Sequence, residues 1–339
     1  SYGKFLWLDP GEKAVQDYSL AVVQDVVRRY DIDGVHIDDY FYPYKEKDAA
    51  GNVVPFPDGP SWSRYVQSGG KLSRDDWRRN NVDQFIERLY KAIKAEKRWV
   101  KFGISPFGIW RPGNPRQIQG FDQYSELYAD ARKWLRNGWV DYFTPQLYWR
   151  IDQRAQSYPV LLKWWSEQNV KGRHLWPGNY TGRVGDGSAS SWPLEEVSNQ
   201  VRLTRAQPGA TGNIHFSMKV FSQNRKGLND HLLSTVYTAP ALVPASPWLD
   251  DDAPSRPKLE LQPDGTGLRV SWRPGGDEEP WLWVLQTRAG GKWRTEIVPG
   301  GESSRVLLSG GAPIESVAVS AVDRLGNESA PATAEPGKE

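Results

Sequence analysis

Residues 31–44 read DIDGVHIDDYFYPY, and this stretch decides the fold. Asp33-Gly34 has the composition of a turn, and it leads into the alternating run Val35-His36-Ile37-Asp38. Side chains alternate along a strand, so His36 and Asp38 share one face. The run ends in two adjacent carboxylates, Asp38 and Asp39, followed by Tyr40, Phe41, Tyr42 and Tyr44. In a β/α barrel the chemistry sits at the carboxyl ends of the strands, which is where this reading puts Asp38.

Working outward, Tyr18, Val22, Val23, Val26 and Val27 fall at helical spacing ahead of the strand. Residues 43–74 are rich in Gly, Pro and polar side chains and read as a long loop over the site. Val82, Phe85, Ile86, Leu89 and Ile93 mark the next helix, and residues 100–105 (VKFGIS) the next strand. A helix near 124–135 then precedes a strand over 139–148 (WVDYFTPQLY). Helices near 158–168 and 194–205 precede strands over 173–176 and 212–219. Strands alternating with helices predict parallel βαβ units.

Five such strands precede Pro240, whereas a closed barrel of this type needs eight. Five parallel strands alone leave two open edges, so three further strand–helix units are expected ahead of Ser1. An open five-stranded α/β sheet is the alternative. After a linker rich in Pro, Ala and Asp, short alternating runs split by Gly and Pro predict a small antiparallel sandwich. The expected organisation is α/β, a (β/α)8 TIM-type barrel with about five βα units visible over residues 1–248. A linker at 249–257, an all-β sandwich over 258–332 and a tail at 333–339 follow.

The 339 residues have room for two domains and a sizeable core. A net charge of +2 argues against a nucleic-acid partner held by bulk electrostatics. No apolar run is long enough to span a bilayer. The chain opens at Ser1 with no signal peptide, which leaves open an export signal removed ahead of it. The absence of cysteine excludes disulfides and thiolate metal sites. Aromatics are abundant, with 17 Trp, 15 Tyr and 10 Phe against one Met. Such rings suit protein cores and sugar faces alike.

The motif at 31–44, with SPFGIWR at 105–111, WVDYFTPQLYW at 139–149 and GNIHFSMKVF at 212–221, resembles the bacterial glycosyl-hydrolase-like family ten. The resemblance covers about residues 5–245. It implies a β/α barrel and an exported protein, often lipid-anchored, in the periplasm or at the outer membrane. It also implies a glycan partner, peptidoglycan strands stripped of their stem peptides. The family carries further barrel strands ahead of a segment like Leu6-Trp7-Leu8-Asp9-Pro10-Gly11. Residues 258–332 resemble a fibronectin type III domain through Val270-Ser271-Trp272 and Val319-Ser320-Ala321-Val322-Asp323. Val317 stands where that pattern has Tyr, so the tyrosine corner is expected to be absent.

Glycoside hydrolysis typically uses two carboxyl groups, one giving a proton to the leaving oxygen and one attacking or activating water. Asp38 is the first candidate and Asp39 the second, although Asp39 could instead hold a loop or cap the next segment. Asp141, Asp122, Asp130 and Asp152 are weaker choices by position. His36 could bind substrate or tune Asp38, or be an ordinary interior histidine. Gln146 and Tyr148 share a face and could bind sugar hydroxyls or pair with each other in the interior. Tyr40, Tyr42, Trp110, Trp149 and Tyr180 lie just past strand ends as stacking platforms. Arg111 could meet a carboxylate such as a muramic lactyl group, or form a surface ion pair. Asn179 and Lys219 are added on position alone. No cofactor or metal is expected: the four His include no HxxxH or HxH spacing, and adjacent Asp side chains on a strand diverge. The rival reading is a glycan-binding protein without turnover, or a hydrolase of another polysaccharide.

Overall fold

The computed structural model describes residues 1–265, 267–308 and 311–337. Thr266, Ser309 and Gly310 of the expected sandwich and Lys338 and Glu339 of the expected tail lie outside the described residues. The chain divides into two compact units, Ser1–Leu232 and Leu233–Glu339.

The first unit is built on parallel strands in sequential order. Strand β1 (Gly34–Ile37) pairs with β2 (Lys101–Ile104), β2 with β3 (Tyr142–Phe143), and β3 with β4 (His174–Leu175). A second tier continues beyond these, with bridges Phe107–Gln146 and Gln146–Gly178, and β5 (Gly178–Asn179) paired with β6 (Ile214–His215). The five expected strand positions are therefore present and parallel, in a four-stranded and a two-stranded sheet linked by isolated bridges. No closed ring forms among the described residues, and β1 has β2 as its one neighbour there.

Alternation explains which face each residue takes. Phe102, Ile104, Phe143 and Leu175 are fully buried on the helix side. There they meet α3 (Arg74–Glu96), α5 (Ala131–Asn137) and α6 (Tyr158–Gln168) through Ile86, Leu89, Ile93, Trp134 and Trp165 in one core. Fully burying one such side chain stabilises the fold by about 1.5–3 kcal/mol. The buried Asp141 carboxylate is paired: it accepts the Phe102 N–H at 2.7 Å and faces the Lys94 ammonium at 2.5 Å. Helix α1 (Lys13–Arg29) buries Val27, but Tyr18, Val22 and Val26 on its other side are exposed.

Three local expectations are corrected. The segment 43–74 contains a helix, α2 (Gly59–Gln67), started by Pro60 at its first turn. Its Gly/Pro content had hidden it. The helix expected near 124–135 is broken into α4 (Gln123–Glu126) and α5, because Asp122 and Asp130 each cap a new start by accepting the N–H of Ser125 and Lys133. The last strand stops at His215 and the chain turns into α8 (Met218–Ser222), so Lys219 sits on a helix.

Helix α7 (Leu194–Ala206) belongs to the first unit, and the division between the units falls within α9 (Leu228–Thr235). The second unit is antiparallel. One sheet runs β10 (Lys292–Pro299), β9 (Leu282–Ala289), β12 (Ile314–Val322), β13 (Ala332–Ala334); the other runs β11 (Ser304–Leu308), β8 (Gly267–Arg273), β7 (Lys258–Asp264). Its own core gathers Val270 and Trp272 with Trp283, Leu285, Val298, Val317 and Val319. Among the described residues no helix is long and apolar enough to cross a membrane.

Candidate active site

On β1, Val35 and Ile37 pack toward the core, which leaves His36 and Asp38 on the opposite, open face. His36 stacks on Tyr142 with ring centres 5.6 Å apart and accepts or donates a bond to its hydroxyl at 3.1 Å. Tyr142 stacks on Trp176 at 4.8 Å, and Trp176 on His174 at 5.0 Å. This ring ladder crosses β2 only because Gly103 has no side chain: a Cβ there would lie 2.0 Å from the Tyr142 ring. Loss of solvation lowers the His36 pKa, and the Asp38 charge opposes the shift.

Above the ladder sit the two acids, wired differently. Asp38 is exposed, and its Oδ1 accepts the Gln146 amide at 3.0 Å and the backbone N–H of Asp39 at 2.8 Å. Gln146 is itself fixed by donating to the Ser105 carbonyl at 2.9 Å. Asp39 is 4% exposed and accepts the Tyr44 hydroxyl at 2.5 Å. Burial pushes its carboxyl up to about 6; the adjacent Asp38 adds to the rise and the Tyr44 bond opposes it. Such a carboxyl can carry a proton near neutral pH.

Rings flank the acids on two sides. Tyr148 stacks on Phe216 at 5.7 Å and lies tilted against Tyr180 at 5.1 Å, and Tyr180 meets Trp192 edge-on at 6.3 Å. Burial, helped by the charges of Asp38 and Asp39, raises the Tyr148 pKa and keeps its hydroxyl protonated beside them. On the other side Tyr40, 61% exposed, lies between Trp7 at 6.5 Å and Tyr44 at 6.1 Å. A cavity of about 370 Å³ opens there, lined by Trp7, Ile37, Asp38, Tyr40 and Phe41 among others.

The structure thus gathers Asp38, Asp39, His36, Tyr40, Gln146, Tyr148 and Tyr180. Other expected site residues take partners elsewhere. Tyr42 is 1% exposed and packs edge-on to Phe56 and Tyr128, so it cannot offer a face to a sugar. Asn179 is fully buried, donating to Gln200 and Tyr158 and accepting from Asn213. The Trp110 indole donates to Asp130 and its ring stacks on Trp164. Arg111 lies over Tyr124 and pairs with Asp122 at 3.4 Å, the surface-pair alternative. Trp149 packs edge-on to Phe107, and Lys219 is exposed on α8. Asp141 and Asp152 are paired with Lys94 and Arg150. Among the described residues no group of three or more His, Cys, Asp or Glu is placed to hold a metal.

Sequence reasoning passed over Tyr44, Tyr142, Trp176 and Phe216. Tyr142 was findable, since it has the parity of Gln146 and Tyr148 along one strand. Tyr44 was not, because its approach to Asp39 depends on the turn that follows β1.

Residues 1–191 match the family described as glycosyl hydrolase-like 10. The chain belongs to this family. Among curated relatives, Glycosyl hydrolase YngK of Bacillus subtilis (strain 168) is 39% identical over 87% of this chain and 59% of its own length. Glycosyl hydrolase DigH of Escherichia coli (strain K12) is 37% identical over 62% of this chain and 48% of its own. The chain thus spans about half the length of these glycosyl hydrolase-like 10 relatives. Among solved structures, the chitinase ChiW of Paenibacillus sp. str. FPU-7 aligns with 95% of this chain and 44% of its own, at 10% identity and a TM-score of 0.42.

Proposed function

We propose that this glycosyl hydrolase-like 10 chain belongs to a glycoside hydrolase that cleaves bacterial cell-wall glycan, peptide-stripped peptidoglycan above all, outside the cytoplasm. The observation that carries the reading is Asp38, a solvent-facing carboxylate at the carboxyl end of a parallel strand. It touches a second acid and stands between two groups of rings, of which Tyr40 and Phe216 are the most exposed. Hydrolysis needs an acid and a base within reach of one glycosidic bond, and stacked rings bind the apolar faces of sugars. The names of the relatives support the reaction class. Carbon-rich faces on both sides of the acids support a polymer, which would occupy subsites in line. We further propose that the parallel strands of the first unit belong to a (β/α)8 barrel, and that the second unit is a fibronectin type III-like spacer.

The test is incubation with peptide-stripped glycan strands, a chitin-like polymer and a β-glucan in parallel, with products read by mass spectrometry. The muramic-acid-containing strands are expected to be shortened fastest. The Asp38→Asn variant is expected to retain glycan binding and lose at least 10²-fold in hydrolysis. Binding with no products from the unaltered protein would leave a glycan-binding protein instead.

A further inference from the structure

We propose that Asp39 is the member of the pair that holds the proton, that Tyr44 positions it, and that Gln146 fixes Asp38 as its ionised partner. The catalytic meaning of this assignment rests on the hydrolase reading above, whereas the location of the proton does not.

The geometry divides the two acids. Asp38 receives N–H donors from Gln146 and from the Asp39 backbone. Donors of that kind favour a carboxylate over a carboxylic acid. The Gln146 amide cannot swing away freely, because its nitrogen also binds the Ser105 carbonyl. Asp38 also faces solvent, where its charge costs least. Asp39 has the opposite surroundings. It is buried and adjoins a like charge, and the bond from the Tyr44 hydroxyl, which favours its ionised form, is outweighed by that burial. Two carboxyls in contact cannot both ionise cheaply, so one proton stays on the pair. The buried member is the one that gains most by keeping it.

The titratable groups around Asp39 are few. Asp38 and Tyr44 touch it, Tyr148 faces both acids, His36 neighbours Asp38, and Tyr40 neighbours Tyr44. None of the ion pairs among the described residues includes either carboxyl. Tyr44 is held independently of Asp39 by its ring, which packs on Tyr40 at 6.1 Å and on Phe121 at 5.3 Å. It can therefore aim the carboxyl and not merely follow it.

In hydrolysis the proton passes from Asp39 to the glycosidic oxygen as that oxygen's bond to the anomeric carbon breaks. Water supplies the hydroxyl that ends on the anomeric carbon, and its remaining proton restores the acid. Asp38, ionised throughout the first step, faces the positive charge that grows on the sugar.

The experiment is a ¹³C carboxyl NMR titration of aspartate-labelled protein, in the unaltered chain and in Tyr44→Phe and Asp38→Asn, with the pH profile of kcat/KM on glycan measured beside it. Asp39 is expected to titrate near 6 in the unaltered chain. In Tyr44→Phe its midpoint should rise by about one unit, because a bond that favoured the ionised form is gone. In Asp38→Asn it should fall, because the like charge is gone. The Phe ring keeps the packing on Phe121, so a folded variant is expected, and near-UV circular dichroism checks it. The basic limb of the kcat/KM profile should follow the Asp39 midpoint upward in Tyr44→Phe, a change that a merely structural Tyr44 would not cause. Asp38 titrating as the high member, or an unmoved Asp39 midpoint in Tyr44→Phe, would overturn the assignment. A chain that shows both NMR shifts and cuts no glycan would keep the assigned proton and lose the hydrolase reading.

Discussion

Asp39 is a residue whose placement costs stability. Its folded carboxyl is pushed up to about 6, whereas an unfolded Asp titrates near 3.9. Between those values this carboxyl binds more proton in the folded chain than in the unfolded one, so its contribution to stability falls as pH rises from about 4 to about 6 and stays reduced above. The Asp39→Asn variant removes the charge and with it the loss. It should melt several degrees higher than the unaltered protein at pH 7.5 and show little gain at pH 4, when thermal denaturation is followed at both. A uniform gain at the two pH values would mean that packing, not ionisation, sets the difference. His215, buried and lowered to about 4 by desolvation, adds a dependence of opposite sign over the same window, but both proteins share it and it cancels in the comparison. The sequence disclosed Asp38 through strand parity alone. It did not disclose how Asp39 is held, because an adjacent residue points wherever the turn sends it. Tyr42 and Tyr44 are indistinguishable in the string, yet one is sealed in the core and the other reaches an acid.

The ring ladder is a property of four neighbouring strands rather than of any single side chain. It requires that Gly103 on β2 present nothing to Tyr142 on β3, so that the phenol can lie across toward His36 on β1. Gly103→Ala should destabilise the first unit by about 1–3 kcal/mol, the usual cost of forcing an atom into a filled space. Denaturant unfolding measures it, and an unchanged midpoint would mean that the ring moves aside without cost. Strand and helix types were legible here because alternation and 3.6-residue spacing are strong in segments such as VKFGIS and 82–93. Boundaries were less so. A Gly/Pro-rich stretch concealed α2, and Asp130, read as lying within one helix that starts at Asp122, turned out to cap a second helix, α5.

At the scale of the molecule, the two units have separate cores, and their stabilities should be separable by mutation. Trp283 is 1% exposed, donates its indole N–H to Gly300 at 2.9 Å and meets Trp272 edge-on. Trp283→Ala should cost the second unit about 3–5 kcal/mol. Calorimetry is expected to show one transition moving down while glycan binding at 25 °C is unchanged; loss of binding would show that the site depends on the sandwich. The βαβ plan and the later switch to antiparallel strands were both plain from element order, since each follows from hydrophobic period. Closure of the strand ring was not, because it depends on which edges find partners. That point bears on β1, which carries Asp38 and is hydrogen-bonded to β2 alone within its sheet. Deuterium uptake should therefore be faster in β1 than in β2, where Phe102 and Ile104 are protected far longer. The strand that presents the acid would then open more readily than the strand beside it, and whatever backbone came to lie along its other side would stiffen the acid's support without touching the acid itself.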